Sequence, residues 1–487
     1  LSVLAAPEVA YPTEAIDRLW YGILINQFHD ILPGSSIREV YEVTKEEYAQ
    51  MEAEIGTLCA ERLTALTPAG SGMTVYNTTG FGRNDVVELG ECNAAALTDE
   101  TGRVYPVQQT ENGAVAFLAD LPSKGRKTFA VAGKAEQASR FALSEDGHTL
   151  ETPFYTVRFD EQGGIAGLFD KENRREVLQA GKTANLLRVF EDKPIYYDNW
   201  DIDIYYTEKF WDVTDLRSFT WTEQGPVRAT LHIEREFSNS TISQDIHFYA
   251  DIRRIDFVTT VDWHEHQHLL KVQFPVNVHT DEATFEVQYG NLTRKTHTNT
   301  SWDRARFESC GQKWADLSEG HYGVSLLNDC KYGHSVKDSC ISLTLIKSGI
   351  EPNPTTDQEV HHFTYALYPH AETWRAAGTV REAFFLNQPA LAVAGGEPGE
   401  AFSLAVCDAP NVVVETIKQA EDGDGVIVRM YESENALTDT VLHWGRPVTE
   451  AVSCDCMEQP DGEPVSLEDG GIRFTIKPYE IKTLRIR

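Results

Sequence analysis

From residue 73 onward the sequence repeats one device: a short run rich in β-branched and aromatic residues, then a turn of Gly, Asn, Asp or Ser. "MTVYNTT", "RVYPVQQ", "AVAFLADL" and "KTFAVAG" open the series. After a break near residues 133–146, "FYTVRFDEQGGIAGLFDKENRREVL" reads as strand, Gly-Gly turn, strand and a second turn. Strand signals then recur to about residue 385, among them "ATLHIEREF", "QDIHFYADI", "IDFVTTVDW", "LLKVQFPVNV", "YGVSLLND" and "HHFTYALY". These are too many strands for one small sandwich, so two large stacked antiparallel sheets are expected. A last group, from "FSLAVCD" to "RFTIKPYEIKTLRIR", suggests a final β-sandwich.

The first 66 residues follow a different period. Thr13 is the expected N-cap and Glu14 lies in the first turn, after which Ile16, Leu19, Trp20, Ile23 and Leu24 recur at helical spacing. Pro33-Gly34 breaks this run, and Ser35 or Ser36 can cap the next helix. Its seam is Ile37, Tyr41, Thr44, Tyr48, Met51, Ile55 and Leu58, the narrow stripe of a helix packed on helices. Two helices cannot close a core, so further chain upstream is expected to complete it. The start at Leu1, without Met, basic stretch or apolar run, fits an internal or processed piece of a longer protein. With "TPAGSG" as linker, the expected units are residues 1–68 (helical), 69–135 (small β-sandwich), 136–385 (large β unit) and 386–487 (C-terminal β-sandwich). The fold class is mainly β with N-terminal helices.

A length of 487 residues is too great for one core. With 43 Lys+Arg against 75 Asp+Glu and a net charge of -32, the chain repels phosphate backbones and anionic lipid. Nucleic acid and membrane are therefore excluded as partners, while a neutral substrate is compatible. No apolar run is long enough to cross a bilayer. The eight cysteines are scattered without CxxC spacing, as expected of reduced thiols in a cytoplasmic protein. The sequons at Asn77, Asn239, Asn291 and Asn299 are what an Asn- and Thr-rich chain produces by chance.

Three stretches could carry chemistry. In "DWHEHQHLLKVQFP", His264, His266 and His268 would lie on one face of a strand, with Glu265 and Gln267 on the other. Side chains two apart on a strand run parallel at about 6.6 Å and do not converge on a metal, so a solvated face is favoured. His361-His362 is a weaker signal still. "FEDKPIYYDNWDIDIYY", residues 190–206, sets five acidic residues among Tyr196, Tyr197, Trp200, Tyr205 and Tyr206. Aromatic faces beside carboxylates suit sugars, and an acidic surface loop with buried aromatics fits the composition equally. His29-Asp30, at the helix stop in "NQFHDILPGSS", can reach a cleft, where an imidazole could bind zinc and the carboxylate could orient it or accept a hydroxyl. On pattern alone an ordinary helix-end cluster is favoured there.

"LWYGILINQFHDILPGSSIREVY" closely resembles the helical middle segment of glycoside hydrolase family 38, the retaining α-mannosidases, in the branch that includes bacterial and cytosolic enzymes. The resemblance runs in order through "FEDKPIYYDNWDID", "HTNTSWDRARFE", "DLSEGHYGVSLLNDCKYGH" and "PYEIKTLRIR", nearly the whole chain. It implies the end of a three-helix bundle followed by β-sandwiches, one of them a two-sheet supersandwich, with the catalytic α/β domain lying upstream. It further implies one zinc ion, with His29 as the ligand supplied by this chain, and Asp30 hydrogen-bonded to mannose in the −1 subsite. Trp200 and Asp201 are the implied substrate-facing residues of the "YYDNWDID" segment. The nucleophile, the general acid and zinc's other ligands are expected upstream, and no carboxylate here, Asp30 included, takes those roles. The substrate implied is a mannose-containing oligosaccharide, the compartment the bacterial cytoplasm, and a homo-oligomer is left open. The rival from another class is a non-catalytic carbohydrate-binding or scaffolding β-sandwich protein, which has no need of a metal at His29.

Overall fold

A computed structural model describes residues 1–6, 8–133, 138–468 and 470–487. The expected boundary between residues 135 and 136 lies outside the described residues. The chain opens with α1 (Ser2–Ala5), α2 (Thr13–Asn26) and α3 (Arg38–Leu66). The expected caps differ. Thr13 is inside α2, and the Pro12 carbonyl takes the first helical bond from Ile16 N–H. Neither serine caps α3, whose preceding residue is Ile37. Ser36 N–H instead donates to the Tyr41 hydroxyl, and the Ser35 carbonyl accepts from Trp200, so the backbone of both serines is engaged by tertiary partners.

α2 and α3 meet along a partly polar line. Gly22 lies under Met51: a β-carbon at Gly22 would come within 2.6 Å of the Met51 sulfur. Asn26 is buried one turn on, donating to Glu47 (2.8 Å) and accepting from Thr44 (2.9 Å). Thr44 and Met51 of the expected seam thus face α2, whereas Ile37, Tyr48 and Ile55 remain exposed. So do Trp20, Tyr21, Leu24, Ile25, Phe28 and Leu32 on the α2 side. The lower end of α3 is seated on β-structure, with Leu66 packed against Ala5 and Tyr76.

The expected linker, residues 67–72, is fastened rather than free. Thr67 shares a 2.7 Å hydrogen bond with the Tyr76 hydroxyl, and Gly72 exchanges backbone bonds with Gly395 and Gly396. A β-carbon on Gly70 would fall 2.2 Å from the Gly396 carbonyl oxygen, which explains a glycine there.

Three β units follow. The first is an eight-stranded sheet that includes Gly72–Asn77, Arg83–Gly90, Gly113–Leu121 and Gly125–Ala132. Leu391–Ala394 and Ala401–Ser403 also belong to this sheet, pairing with Gly72–Asn77 and Gly125–Ala132. This corrects the expected start of the C-terminal sandwich at residue 386. A strand's own pattern shows that it needs a partner and does not show which one. The large unit combines nine-, six- and five-stranded sheets around one core that runs in sequence from Phe141 to Leu367. Two four-stranded sheets close the chain around Val414, Val428, Leu442, Ile472 and Leu484.

The three histidines are not on one strand face. Ile255–Asp262 ends before them, the next strand starts at His268, and Gln267 between takes a left-handed φ of 51°. Glu265, expected on the strand face opposite the histidines, is buried and accepts from Asn239 N–H and the Ser240 hydroxyl, both at 2.9 Å. His264 pairs with Asp262 and His266 with Gln358. A turn, not a strand, spaces them. All eight cysteines are free, and no helix among the described residues is long and apolar enough to cross a membrane.

Candidate active-site surface

α2 does not stop sharply. Its last turns loosen through residues 27–34, with Phe28 N–H bonded to the Ile25 carbonyl and Ile31 N–H to that of Phe28. Gly34 closes the turn at φ 81°, a conformation that costs glycine little. His29 stands out at the apex, its side chain 78% exposed, with its ring 4.3 Å from that of Phe28. Its Nε2 lies 3.6 Å from Asp30 Oδ2, and the Asp30 side chain is 34% exposed.

Tyr41 on α3 holds this turn from behind. Its hydroxyl donates to the carbonyls of Asp30 (3.1 Å) and Ile31 (3.3 Å), and accepts from Ser36 N–H at 2.9 Å. Burial raises the phenol above its ordinary titration range, so it stays a donor at neutral pH. The sequence shows Tyr41 as a seam residue, and its hydrogen bonds were beyond reach of the pattern.

The segment 192–203 approaches from the large β unit. Trp200 Nε1 donates to the Ser35 carbonyl at 2.7 Å, a contact spanning 165 residues. The indole is nevertheless 64% exposed, and Tyr196 and Tyr197 beside it are also open. Ring centroids step 6.5 Å from Tyr196 to Tyr197 and 6.3 Å from Tyr197 to Trp200, a ledge of three aromatic rings. Asp201 is exposed on the same turn, where its N–H bonds to the Tyr197 carbonyl. The turn requires a left-handed Tyr197, at φ 51°.

The acidic residues of this segment divide by burial. Asp192 is buried and ion-paired to Lys347 at 2.8 Å; burial raises its carboxyl and the lysine opposes that rise. Asp198 points inward and accepts backbone N–H bonds from Ile350 (2.9 Å) and Glu351 (2.8 Å). Asn199 follows it inward, donating to the Thr356 hydroxyl at 2.6 Å. Nothing in "YYDNWDID" distinguishes the inward Asp198 from the outward Asp201, because a loop has no period to read.

Of the sequence-predicted residues, His29 and Asp30 share one turn, and Trp200 is tied to it through Ser35. Asp201 sits beside Trp200, its carboxylate accepting from Ile202 N–H at 3.0 Å, without a side-chain bond to the helices among the described residues. Below them a cleft of about 370 Å³ separates hairpin from sandwich, with Gly34, Tyr41 and Lys45 on one wall and Asn353, Thr356 and Glu359 on the other. Lys45 and Glu359 form an ion pair across it. Asp357, Glu359 and His361 are the one group of three potential metal donors that converge among the described residues, and His29 is not in it. Glu359 is engaged by Lys45, and His361 Nε2 donates to the Asp357 carbonyl at 2.8 Å. At the helix end this chain therefore offers one exposed imidazole, which fits a single contributed ligand and not a complete four-donor site.

Three family signatures match the chain: the alpha mannosidase middle domain over residues 1–66, the glycosyl hydrolases family 38 C-terminal domain over 150–355, and the glycosyl hydrolases family 38 C-terminal beta sandwich domain over 411–484. The chain is 33% identical over 500 residues to human alpha-mannosidase 2C1, covering 99% of this chain and 46% of that protein. It is 30% identical over 527 residues to alpha-mannosidase G of Dictyostelium discoideum, covering 96% of this chain and 48% of the other. An alpha-mannosidase from Enterococcus faecalis V583 superposes at a TM-score of 0.80 and 16% identity, over 100% of this chain and 65% of that one, and so shares its fold. The chain spans about half the length of the curated relatives it matches.

Proposed function

Because the chain belongs to glycoside hydrolase family 38, as its middle and C-terminal part, we propose that the complete protein is a zinc-dependent retaining α-mannosidase. Its substrate would be terminal α-mannosyl residues of oligosaccharides. The observation that carries the placement of the site is the Trp200–Ser35 hydrogen bond, which sets an open aromatic ledge beside the His29–Asp30 turn. Aromatic rings stack on the C–H face of a sugar while carboxylates accept its hydroxyls. Trp200 and Asp201 would therefore border the sugar, and Asp30 would accept from one of its hydroxyls.

His29 would give one nitrogen to the zinc, and its exposure leaves that nitrogen free to meet a donor set arriving from the upstream domain. When bound, the ion would polarise sugar hydroxyls as a Lewis acid. Tyr41 holds the turn's backbone so that the imidazole stays at its apex. Retention needs two carboxylates roughly 5 Å apart across the scissile bond, and these we place upstream.

The test is His29→Ala in the complete protein, with zinc measured by elemental analysis beside hydrolysis of p-nitrophenyl α-mannoside. Most of the zinc and the activity should be lost with the circular dichroism spectrum retained. Unchanged zinc stoichiometry would overturn the ligand assignment. Mannoside binding without metal or turnover in the unsubstituted protein would favour the carbohydrate-binding scaffold instead. Substituting His264, His266 and His268 together should leave the zinc in place.

A further inference from the structure

The aromatic ledge presents a physical problem. Its three rings are open to solvent, so their own burial does not decide which way they face. Something beneath must orient them. Asp198, 4% exposed, lies at the centre of the segment and points the other way. Its Oδ1 accepts from two successive backbone N–H groups, Ile350 at 2.9 Å and Glu351 at 2.8 Å, and Oδ2 accepts from Gln267 Nε2 at 3.1 Å. Bonds to an ionised acceptor are among the stronger hydrogen bonds available to a loop. The Asp198 carbonyl accepts from Lys347, itself held by buried Asp192. Asn199 extends the anchor, its N–H reaching the Glu351 carbonyl at 3.2 Å.

A second, independent feature marks the same spot. A β-carbon added at Gly349 would fall 1.8 Å from Asn199 Oδ1 and 2.8 Å from Asp198 Oδ1. The loop is seated directly on glycine backbone, leaving no room for any side chain. With Asp198–Asn199 tied to the sandwich and Trp200 tied to Ser35 at the helix turn, the turn that carries the ledge is fastened on both sides.

We propose that Asp198 is a positioning residue for substrate binding: it sets the angle of the Tyr196–Tyr197–Trp200 ledge toward the His29–Asp30 turn and does not itself touch the sugar. This rests on the α-mannosidase reading. A ledge that stacks equally on substrate and transition state affects KM rather than kcat. Asp198→Ala in the complete protein should then raise KM for p-nitrophenyl α-mannoside about tenfold with kcat within about threefold. Zinc content should not change. Asp198→Asn should recover part of the loss, since its amide oxygen still accepts from Ile350 and Glu351. Gly349→Ala, which displaces the loop and leaves the Asp198 charge in place, should reproduce the KM-dominated change and serves if Asp198→Ala fails to fold. A fall in kcat at constant KM, or no change in either constant, would overturn the proposal. If the unsubstituted protein hydrolyses no mannoside, the functional reading fails by itself. Amide exchange over residues 196–203 then decides: faster exchange in Asp198→Ala, or in Gly349→Ala where that variant does not fold, upholds the positioning role, and unchanged exchange refutes it.

Discussion

His334 shows what burial does to a single imidazole. It is fully buried beside Phe285, its Nδ1 donating to the Tyr332 carbonyl at 3.1 Å, while Nε2 has no hydrogen-bond partner among the described residues. Burial lowers its pKa from 6.5 to about 4; the Tyr332 carbonyl and Glu308 oppose the shift, and Lys271 and Arg294 reinforce it. The sign of the linkage follows. Below pH 6.5 the unfolded chain takes up a proton that the folded one refuses, so stability is complete above 6.5 and falls as pH drops toward 4. The slope from this one residue is about 1.4 kcal/mol per pH unit. His334→Gln keeps a donor for Tyr332 and removes the titration. Its apparent melting temperature should therefore drop less between pH 7 and 4.5 than that of the parent. Parallel profiles would show that His334 is protonated inside the fold. His29, by contrast, stands exposed at a turn apex.

The α2–α3 hairpin is an element whose stability depends on few contacts. Most of its large apolar side chains face outward, so Asn26 and Gly22 carry much of the pairing. Asn26 donates to the Gly22 carbonyl and to Glu47, and accepts from Thr44. Asn26→Ala leaves Thr44 and Glu47 without these partners, at a cost of about 1–3 kcal/mol. Because the β units have their own cores, the loss should be local. Amide exchange should quicken over residues 13–58 and stay unchanged over the strands of the large sandwich. Equal protection in both proteins would mean that the hairpin is held from outside, through Trp200 and Lys45, and not by its own seam.

For the whole molecule, the open face of Trp20, Tyr21, Leu24, Ile25, Phe28 and Leu32 is larger than chance exposure of single residues, the kind of surface that marks an interface. The 487-residue chain alone should fold, since each β unit encloses its own core, and should release no nitrophenol from p-nitrophenyl α-mannoside even with added zinc. One preparation suffices, with circular dichroism for β content and then nitrophenol release against a buffer blank. Zinc-dependent turnover by the folded chain would place the catalytic carboxylates within these residues, with those of "YYDNWDID" foremost.

Period and turn chemistry act over a few residues, and at that range the sequence alone determined much: the break from helix to strand near residue 70 and the strand runs of the large unit, although α2 ends at Asn26, ahead of the expected Pro33-Gly34 stop. The motif from Leu19 to Tyr41 also carried the family. What remained invisible was set by contacts far apart in the chain. Leu391–Ala394 could join the first sheet or the last, because an edge strand's backbone groups accept any partner of suitable direction. Ser35 and Ser36 suit helix caps by type, but α3 starts after Ile37, and the backbone of the two serines is bonded to Trp200 and Tyr41. Asp198 and Asp201 are chemically the same three residues apart. Only the glycine backbone at 349 and the two amides after it decide that one turns inward and the other faces solvent.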